Sequence, residues 1–225
     1  MLKLAKPAMD VGLYTNNLDA CLEFWQSLPE VTYSELLKLG GGAHQHRHAF
    51  GDSVIKLNHR RQPVSDAAPS GMQLLTLHSP RAAENLLTDP DGSRCRTTAE
   101  QSEQIHLTLS LAVADVQRSA QFYGEILQLE QASQNRFKVG ASTIELVSAE
   151  VAPDPEHPRD ALGLRYITLQ VFDVVGVHSD VLARGGREGL APVRLGEVAY
   201  ISFVRDPDGH WIEISQRKSI TGSLE

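Results

Sequence analysis

Two glutamates carry the first chemical signal. Glu145 and Glu213 lie inside the apolar strings IEL (144–146) and IEI (212–214). A carboxylate buried in such a string without a partner is expensive, so each must face a cavity, a cation or an opposing group. Carboxylates placed in that way can hold a ligand or move a proton, and the bland alternative is a pair of inert rim carboxylates. Trp211 falls on the same strand face as Glu213, either as an apolar wall of a ligand-sized hollow or as plain core. Tyr166 can donate a hydrogen bond to a substrate oxygen, or simply line a pocket wall.

A second signal is the run AHQHRHAF at 43–50, which puts His44, His46, His48 and Phe50 on one strand face, followed by Lys56 and Asn58 on the next strand. Imidazoles at i, i+2 spacing on a strand stand far apart for one metal ion. A polar pocket for an anionic or carbonyl group, built on His46, His48 and Lys56, suits the residue types better; a solvated hairpin is the alternative. No Gly-rich phosphate loop, serine nucleophile elbow or CxxC pair accompanies these residues.

The elements that must position them are organised around HLTLSLAVADVQRSAQFY at 106–123. Leu107, Leu109, Leu111 and Val113 alternate with His106, Thr108, Ser110 and Ala112 as on a half-buried strand, and Asp115 then caps a helix with the stripe Val116, Ala120, Tyr123 and Leu127. NLDACLEFW at 17–25 matches DVQRSAQFY at an offset of 98 residues, and DPDGSRCRT at 89–97 matches DPDGHWIEI at an offset of 117. Two matched pairs in the same order predict two related halves.

In chain order, residues 10–15 form a strand, Asn17 caps a helix ending near Pro29, and a hairpin spans 43–59. A linker at 60–70 leads to a strand and then a short helix opened by Ser79-Pro80. Only 18 residues separate Gly71 from Asp89, against 43 between Gly163 and Asp206, so the second unit is abbreviated. A polar hinge at 99–104 precedes the central strand and helix, NRFKVG turns into ASTIELV, and 152–163 is a proline-rich loop. Strand LRYITLQV, a helix from Asp173, strand VAYISFV, the DPDG turn and strand HWIEISQ complete the chain, with GSLE frayed at its end. This order predicts an α+β architecture of strand, helix, several-strand units with strongly curved mixed sheets. The expected halves are 1–99 and 104–217, with a tail at 218–225.

At 225 residues, 41% hydrophobic, 22% charged and net charge −7, the composition is that of a globular chain, and it argues against a nucleic-acid surface. Cys21 and Cys95 are expected as reduced thiols in a cytoplasmic protein. The absence of a long apolar run predicts no membrane span.

The segments DVQRSAQFYGEIL at 115–127, its weaker copy at 17–28, IEL at 144–146 and FVRDPDGHWIEI at 203–214 resemble the vicinal oxygen chelate superfamily of glyoxalases, bleomycin-resistance proteins and extradiol dioxygenases. The resemblance implies tandem βαβββ modules in cup-shaped sheets, four here with the second abbreviated. It also implies ligand positions on the first and last strands of paired modules. These fall on Thr108, Glu145, Tyr166 and Glu213 in the second half, and on Asp10, Lys56, Leu74 and Arg96 in the first. A lysine, a leucine and an arginine do not hold a divalent cation, so one divalent ion of unknown identity is expected at Glu145 and Glu213, with His106 brought in by a two-residue slip. Arg96 and Asp10 are expected beside the His46–His48–Lys56 pocket, with Thr108 and Trp211 also toward substrate.

The implied activity is metal-assisted isomerase or lyase chemistry on a small oxygen-bearing molecule, with Glu145, Glu213 and Tyr166 as catalytic groups. The alternatives are metal-free sequestration of a small ligand, as in bleomycin resistance, and an extradiol-type dioxygenase. The expected partner is a small molecule, not nucleic acid or membrane, with the chain a monomer or homodimer.

Overall fold

A computed structural model describes residues 1–101 and 103–224; Ser102 of the expected hinge and Glu225 of the tail lie outside the described residues. The first module is β1 (Asp10–Thr15), α1 (Leu18–Ser27), β2 (Thr32–Gly40), β3 (Ala43–Phe50) and β4 (Ser53–Arg60). The second is reduced to β5 (Met72–Ser79), β6 (Asn85–Thr88) and β7 (Arg94–Ala99). The third is β8 (His106–Val113), α2 (Val116–Gln121) running into a π turn at Phe122–Ile126, β9 (Glu130–Ser133), β10 (Arg136–Val139) and β11 (Ser142–Ser148). The fourth is β12 (Gly163–Gln170), α3 (Val174–Ala183), β13 (Arg187–Leu195), β14 (Ala199–Arg205) and β15 (Trp211–Arg217), followed by the short α4 (Lys218–Thr221).

Three modules are therefore βαβββ, and the abbreviated one keeps strands and loses its helix. The helix expected after Ser79-Pro80 is a turn, closed by the Ala82 amide on the Ser79 carbonyl at 3.2 Å. The cap expected at Asp115 forms, accepting from the Arg118 amide at 3.0 Å, and Asp173, where the last long helix is expected to begin, caps α3 through the Gly176 amide at 2.9 Å. Asn17 does not cap α1; its amide reaches Asp91 instead, at 2.7 Å. Nor is the whole GSLE end loose, since Leu224 is buried.

The fold is α+β with two curved mixed sheets, each built from one module of each half. Sheet I runs β13-β14-β15-β12-β1-β4-β3-β2 and sheet II runs β6-β7-β5-β8-β11-β10-β9. The central seam of sheet I is the antiparallel pair β1/β12, with Asp10 opposite Thr168 and Gly12 opposite Tyr166. The seam of sheet II is β5/β8, with Thr76 opposite Thr108 and His78 opposite His106. Alternation sends Val11, Leu13, Ile55 and Leu57 of sheet I, and Leu75, Leu77, Leu107 and Leu109 of sheet II, into one apolar core shared with Trp25 of α1 and Tyr123 of the π turn. The opposite faces are polar and concave.

The two DPDG turns tie each half together. Asp208 accepts from the Ala114 amide (3.0 Å) and Ser119 Oγ (2.9 Å), and pairs with Arg118 (3.3 Å), around the start of α2. Its counterpart Asp91 accepts from Asn17 (2.7 Å) and Cys21 Sγ (3.2 Å) at the start of α1. Asp206, wholly buried, receives His210 Nδ1 at 2.7 Å, Tyr123 OH at 3.0 Å and the amides of Asp208 and His210. Burial works against both charges of the Asp206–His210 pair, but each partner outweighs it: Asp206 lies below the ordinary carboxylate range and His210 above the ordinary imidazole. Both cysteines are free and buried, and burial pushes their thiols up to about 12.

Candidate functional site

The concave face of sheet I encloses a cavity of about 680 Å³. Its floor takes every second residue of adjoining strands: Tyr14 from β1, Gln45 and Arg47 from β3, Lys56 and Asn58 from β4, Tyr166 from β12 and Glu213 from β15. At the centre Lys56 Nζ donates to Glu213 Oε2 at 2.7 Å and to Thr168 Oγ1 at 2.6 Å, while Thr168 Oγ1 donates to the same Glu213 oxygen at 2.5 Å. Burial lowers the Lys56 pKa from the ordinary lysine value, with Glu213 and then Asp10 acting in the opposite direction.

Tyr166 lies with its ring across Gly12, where a Cβ would come within 2.0 Å of the ring. Only glycine admits the tyrosine at this point of the seam. The Tyr166 oxygen accepts from Asn58 Nδ2 (3.1 Å) and from Gln45 Nε2 (3.4 Å), which leaves its own proton to donate. Burial first, then the charge of Glu213, raises its pKa far above the ordinary phenol. It is therefore a neutral donor at physiological pH. Arg47 is held by Gln45 Oε1 (2.8 Å) and Glu35 (2.9 Å). At the rim, Asp160 joins Tyr14 OH (2.8 Å), Arg60 (2.5 Å) and Arg159 (2.7 Å), and Arg159 stacks over Phe203 at 4.6 Å. The lining carries six basic side chains and the carboxylate of Glu213, and Glu35 and Asp160 at its edge pair with Arg47, Arg217, Arg60 and Arg159, so an excess of three positive charges leaves a locally positive hollow on an acidic protein.

The Glyoxalase/Bleomycin resistance protein/Dioxygenase superfamily model matches residues 104–214. A "Probable lactoylglutathione lyase" of Vibrio parahaemolyticus is 30% identical over 129 residues, which span 51% of this chain and 92% of that protein. The chain belongs to this superfamily. A virulence protein of Salmonella typhimurium is 36% identical over 120 residues, 48% of this chain and 81% of that one. Among solved structures, glyoxalase I from Zea mays superposes with a TM-score of 0.74 at 14% identity, covering 96% of this chain and 95% of that one. That likeness concerns the fold.

Against this glyoxalase-superfamily scaffold, the expected metal centre does not assemble. Glu213 belongs to sheet I, whereas Glu145 and His106 belong to sheet II. The halves exchange partners, first module with fourth and second with third, so the two glutamates line different concave faces. Glu145 pairs with Arg136 at 2.9 Å and receives Ser110 Oγ at 3.3 Å. Thr168 lies opposite Glu213 in the strand register and Ser110 opposite Glu145. At the positions where the family resemblance implies ligands, sheet I offers Asp10, Lys56, Tyr166 and Glu213, and the lysine ammonium already sits on the glutamate. That donor set does not fit a divalent ion. In sheet II, Leu74, Arg96 and Thr108 accompany a glutamate bound to arginine, which fits no better.

The substrate-binding expectations divide. Lys56 is at the centre of the sheet I hollow. Asp10 lies fully buried beneath it, accepting from the Val54 amide at 2.9 Å and pairing with Lys6. Trp211 shares the face of Glu213 as anticipated and packs in a small aromatic cluster with Phe203 and Tyr166. His46 and His48 point away from the cup, toward Tyr33 and the face of Ile55 and Leu57. Burial lowers both imidazoles below the ordinary value. Arg96 and Thr108 lie in sheet II, remote from Lys56 by topology. The residues that do join Lys56 are Gln45 and Arg47, interleaved with the histidines. Phe50 was the available signal: it shares the histidine face, and a fully buried phenylalanine marks that face as the core side.

Proposed function

We propose that the sheet I hollow binds a small, anionic, oxygen-bearing organic molecule without a divalent ion, Lys56 supplying the positive charge. The observation that carries this reading is the Lys56–Glu213 contact of 2.7 Å at the centre of the cup. Lys56, Arg47 and the rim arginines attract the anion, the Tyr166 hydroxyl donates to a ligand oxygen, and Phe203, backed by Trp211, provides apolar contact. This is the sequestering mode of the superfamily rather than the metal-assisted one. A second reading keeps catalysis: a lysine of lowered pKa bonded to a carboxylate can pass a proton at a carbon next to a carbonyl.

The test is tryptophan fluorescence titrated with aromatic and hydroxy carboxylates, with and without EDTA, alongside an assay for isomerisation of the methylglyoxal–glutathione hemithioacetal. Binding that survives EDTA and weakens at least about tenfold in Lys56→Met supports the proposal, that factor being about 1.4 kcal/mol. Binding or turnover that requires a divalent ion overturns it. Metal-independent turnover lost with Lys56 establishes the second reading.

A further inference from the structure

We propose that His78, Glu100 and His106 form a binding site for one divalent transition-metal ion on the concave face of sheet II. It is separate from the hollow assigned above and does not depend on that assignment. The topology brings the three together: His78 and His106 are direct partners across the β5/β8 seam, and Glu100 follows β7, whose last residue Ala99 pairs with Ser79. One nitrogen of each histidine and one oxygen of Glu100 all lie within 4.8 Å of one another.

Each potential ligand atom is left available by its neighbours. His78 Nε2 is engaged by Thr108 Oγ1 at 3.0 Å, and Nδ1 lies 3.9 Å from Glu100 Oε2. Thr108 thus has the place of an outer partner that fixes the ring and its tautomer. Glu100 Oε1 accepts the Gln101 amide at 3.0 Å, and the Glu100 amide is tied to the Ser79 carbonyl at 3.2 Å, so the side chain is anchored while Oε2 takes no hydrogen bond among the described residues. His106 Nδ1 is buried without a hydrogen-bond partner among the described residues. The two rings stack at 4.3 Å and 5°, so a shared ion requires one imidazole to rotate about its side-chain torsions.

Two imidazole nitrogens and one carboxylate oxygen suit zinc, cobalt, nickel or ferrous iron, and are a poor set for calcium or magnesium. Three protein ligands leave at least one position to water. The set is also shifted along the first strands from the positions the family resemblance implies: His106 is two residues before Thr108, and His78 four after Leu74.

The experiment uses the full chain freed of any affinity tag and stripped with EDTA. Co²⁺ is titrated by visible absorption and Zn²⁺ by calorimetry. One ion per chain with micromolar or tighter affinity is expected. His78→Gln and His106→Gln should each weaken it at least about 100-fold and Thr108→Val about tenfold, with apo circular dichroism unchanged. Anomalous scattering from zinc-soaked crystals of the unsubstituted protein tests the same point if a variant misfolds. Absence of stoichiometric binding, affinity indifferent to both histidines, or an ion located at other residues overturns the proposal.

Discussion

Replacing Glu213 by glutamine tests the ion pair at the centre of the cup. Lys56 Nζ and Glu213 Oε2 are 2.7 Å apart, with side-chain exposures of 4% and 11%, so solvent screens the pair little. Removing one member strands the other's charge at a cost of about 3–5 kcal/mol. The escape route sets a ceiling, because Lys56 can fold as the neutral amine. Holding a lysine of ordinary pKa about 10.4 neutral at pH 7 costs about 4.6 kcal/mol. Glu213→Gln should therefore lose about 3–4.6 kcal/mol at pH 7.

The pH dependence has a definite sign. Burial depresses Lys56, and Glu213 is the leading group that resists it. Without Glu213 the folded pKa drops further, so the unfolded chain binds the extra proton and stability rises with pH up to the ordinary lysine pKa. At pH 9 the cost of neutrality is about 1.9 kcal/mol, so the deficit shrinks. Urea unfolding at both pH values, with unchanged m, measures it. The double variant Lys56→Met, Glu213→Gln should recover most of the loss, since neither charge is left unpaired. A deficit under about 1 kcal/mol at pH 7, or one that grows at pH 9, refutes the assignment.

Gly12→Ala places a methyl within 2.0 Å of the Tyr166 ring; it should cost about 1–3 kcal/mol and displace the tyrosine, read as a lower Tm together with weakened ligand binding. Tyr166→Phe should leave the fold intact and weaken an oxygen-bearing ligand about fivefold to tenfold, as expected for one hydrogen bond; unchanged affinity would remove Tyr166 from the site. Asp206→Asn should destabilise by about 3 kcal/mol where both partners of the buried pair are charged. Asp206 is depressed, so its contribution is lost as pH falls through its folded pKa, below the ordinary 3.8. His210 is raised, so its contribution is full below the ordinary 6.5 and lost as pH rises through the higher folded value. Thermal unfolding from pH 4 to 8 should show the deficit largest between those two ordinary values.

The modules were legible because the period-2 and period-3.6 patterns of 106–127 and the DPDG echo are local signals. Edge strands were not. Both β2 and β13 are exposed along nearly all of their length, so neither carries the apolar alternation that marks a half-buried strand. The abbreviated second unit was visible from its length, but length leaves open whether a helix or strands are lost, and Ser79-Pro80, which pointed to a short helix, opens turns as well. Lys56, Glu213 and Tyr166 were found and the β3 residues Gln45 and Arg47 beside them were not, because alternation in AHQHRHAF distinguishes two faces without saying which one is concave. Glu145 and Glu213 were read as partners because a repeat reveals which residues are equivalent, and equivalence says nothing about which strands pair.

The pairing itself has a physical origin in the connections. Only the short segment between Ala99 and His106 joins β7 to β8, so the second module meets the third directly and β5 aligns antiparallel with β8. That seam occupies the free side of each middle module and leaves β1 and β12 to find one another as the seam of sheet I. The DPDG turns act in the other direction, since Asp91 binds α1 and Asp208 binds α2, each inside its own half. Strands thus join the halves while turns hold each half together, and neither sheet can form from one half alone. The consequence reaches the chemistry. A last-strand glutamate from the fourth module faces a last-strand lysine from the first, and an ammonium occupies the position of a cation between them. A change that restored a carboxylate or imidazole at position 56 would place two such ligands on one concave face, whereas no change at position 145 can do so, because that strand belongs to the other sheet.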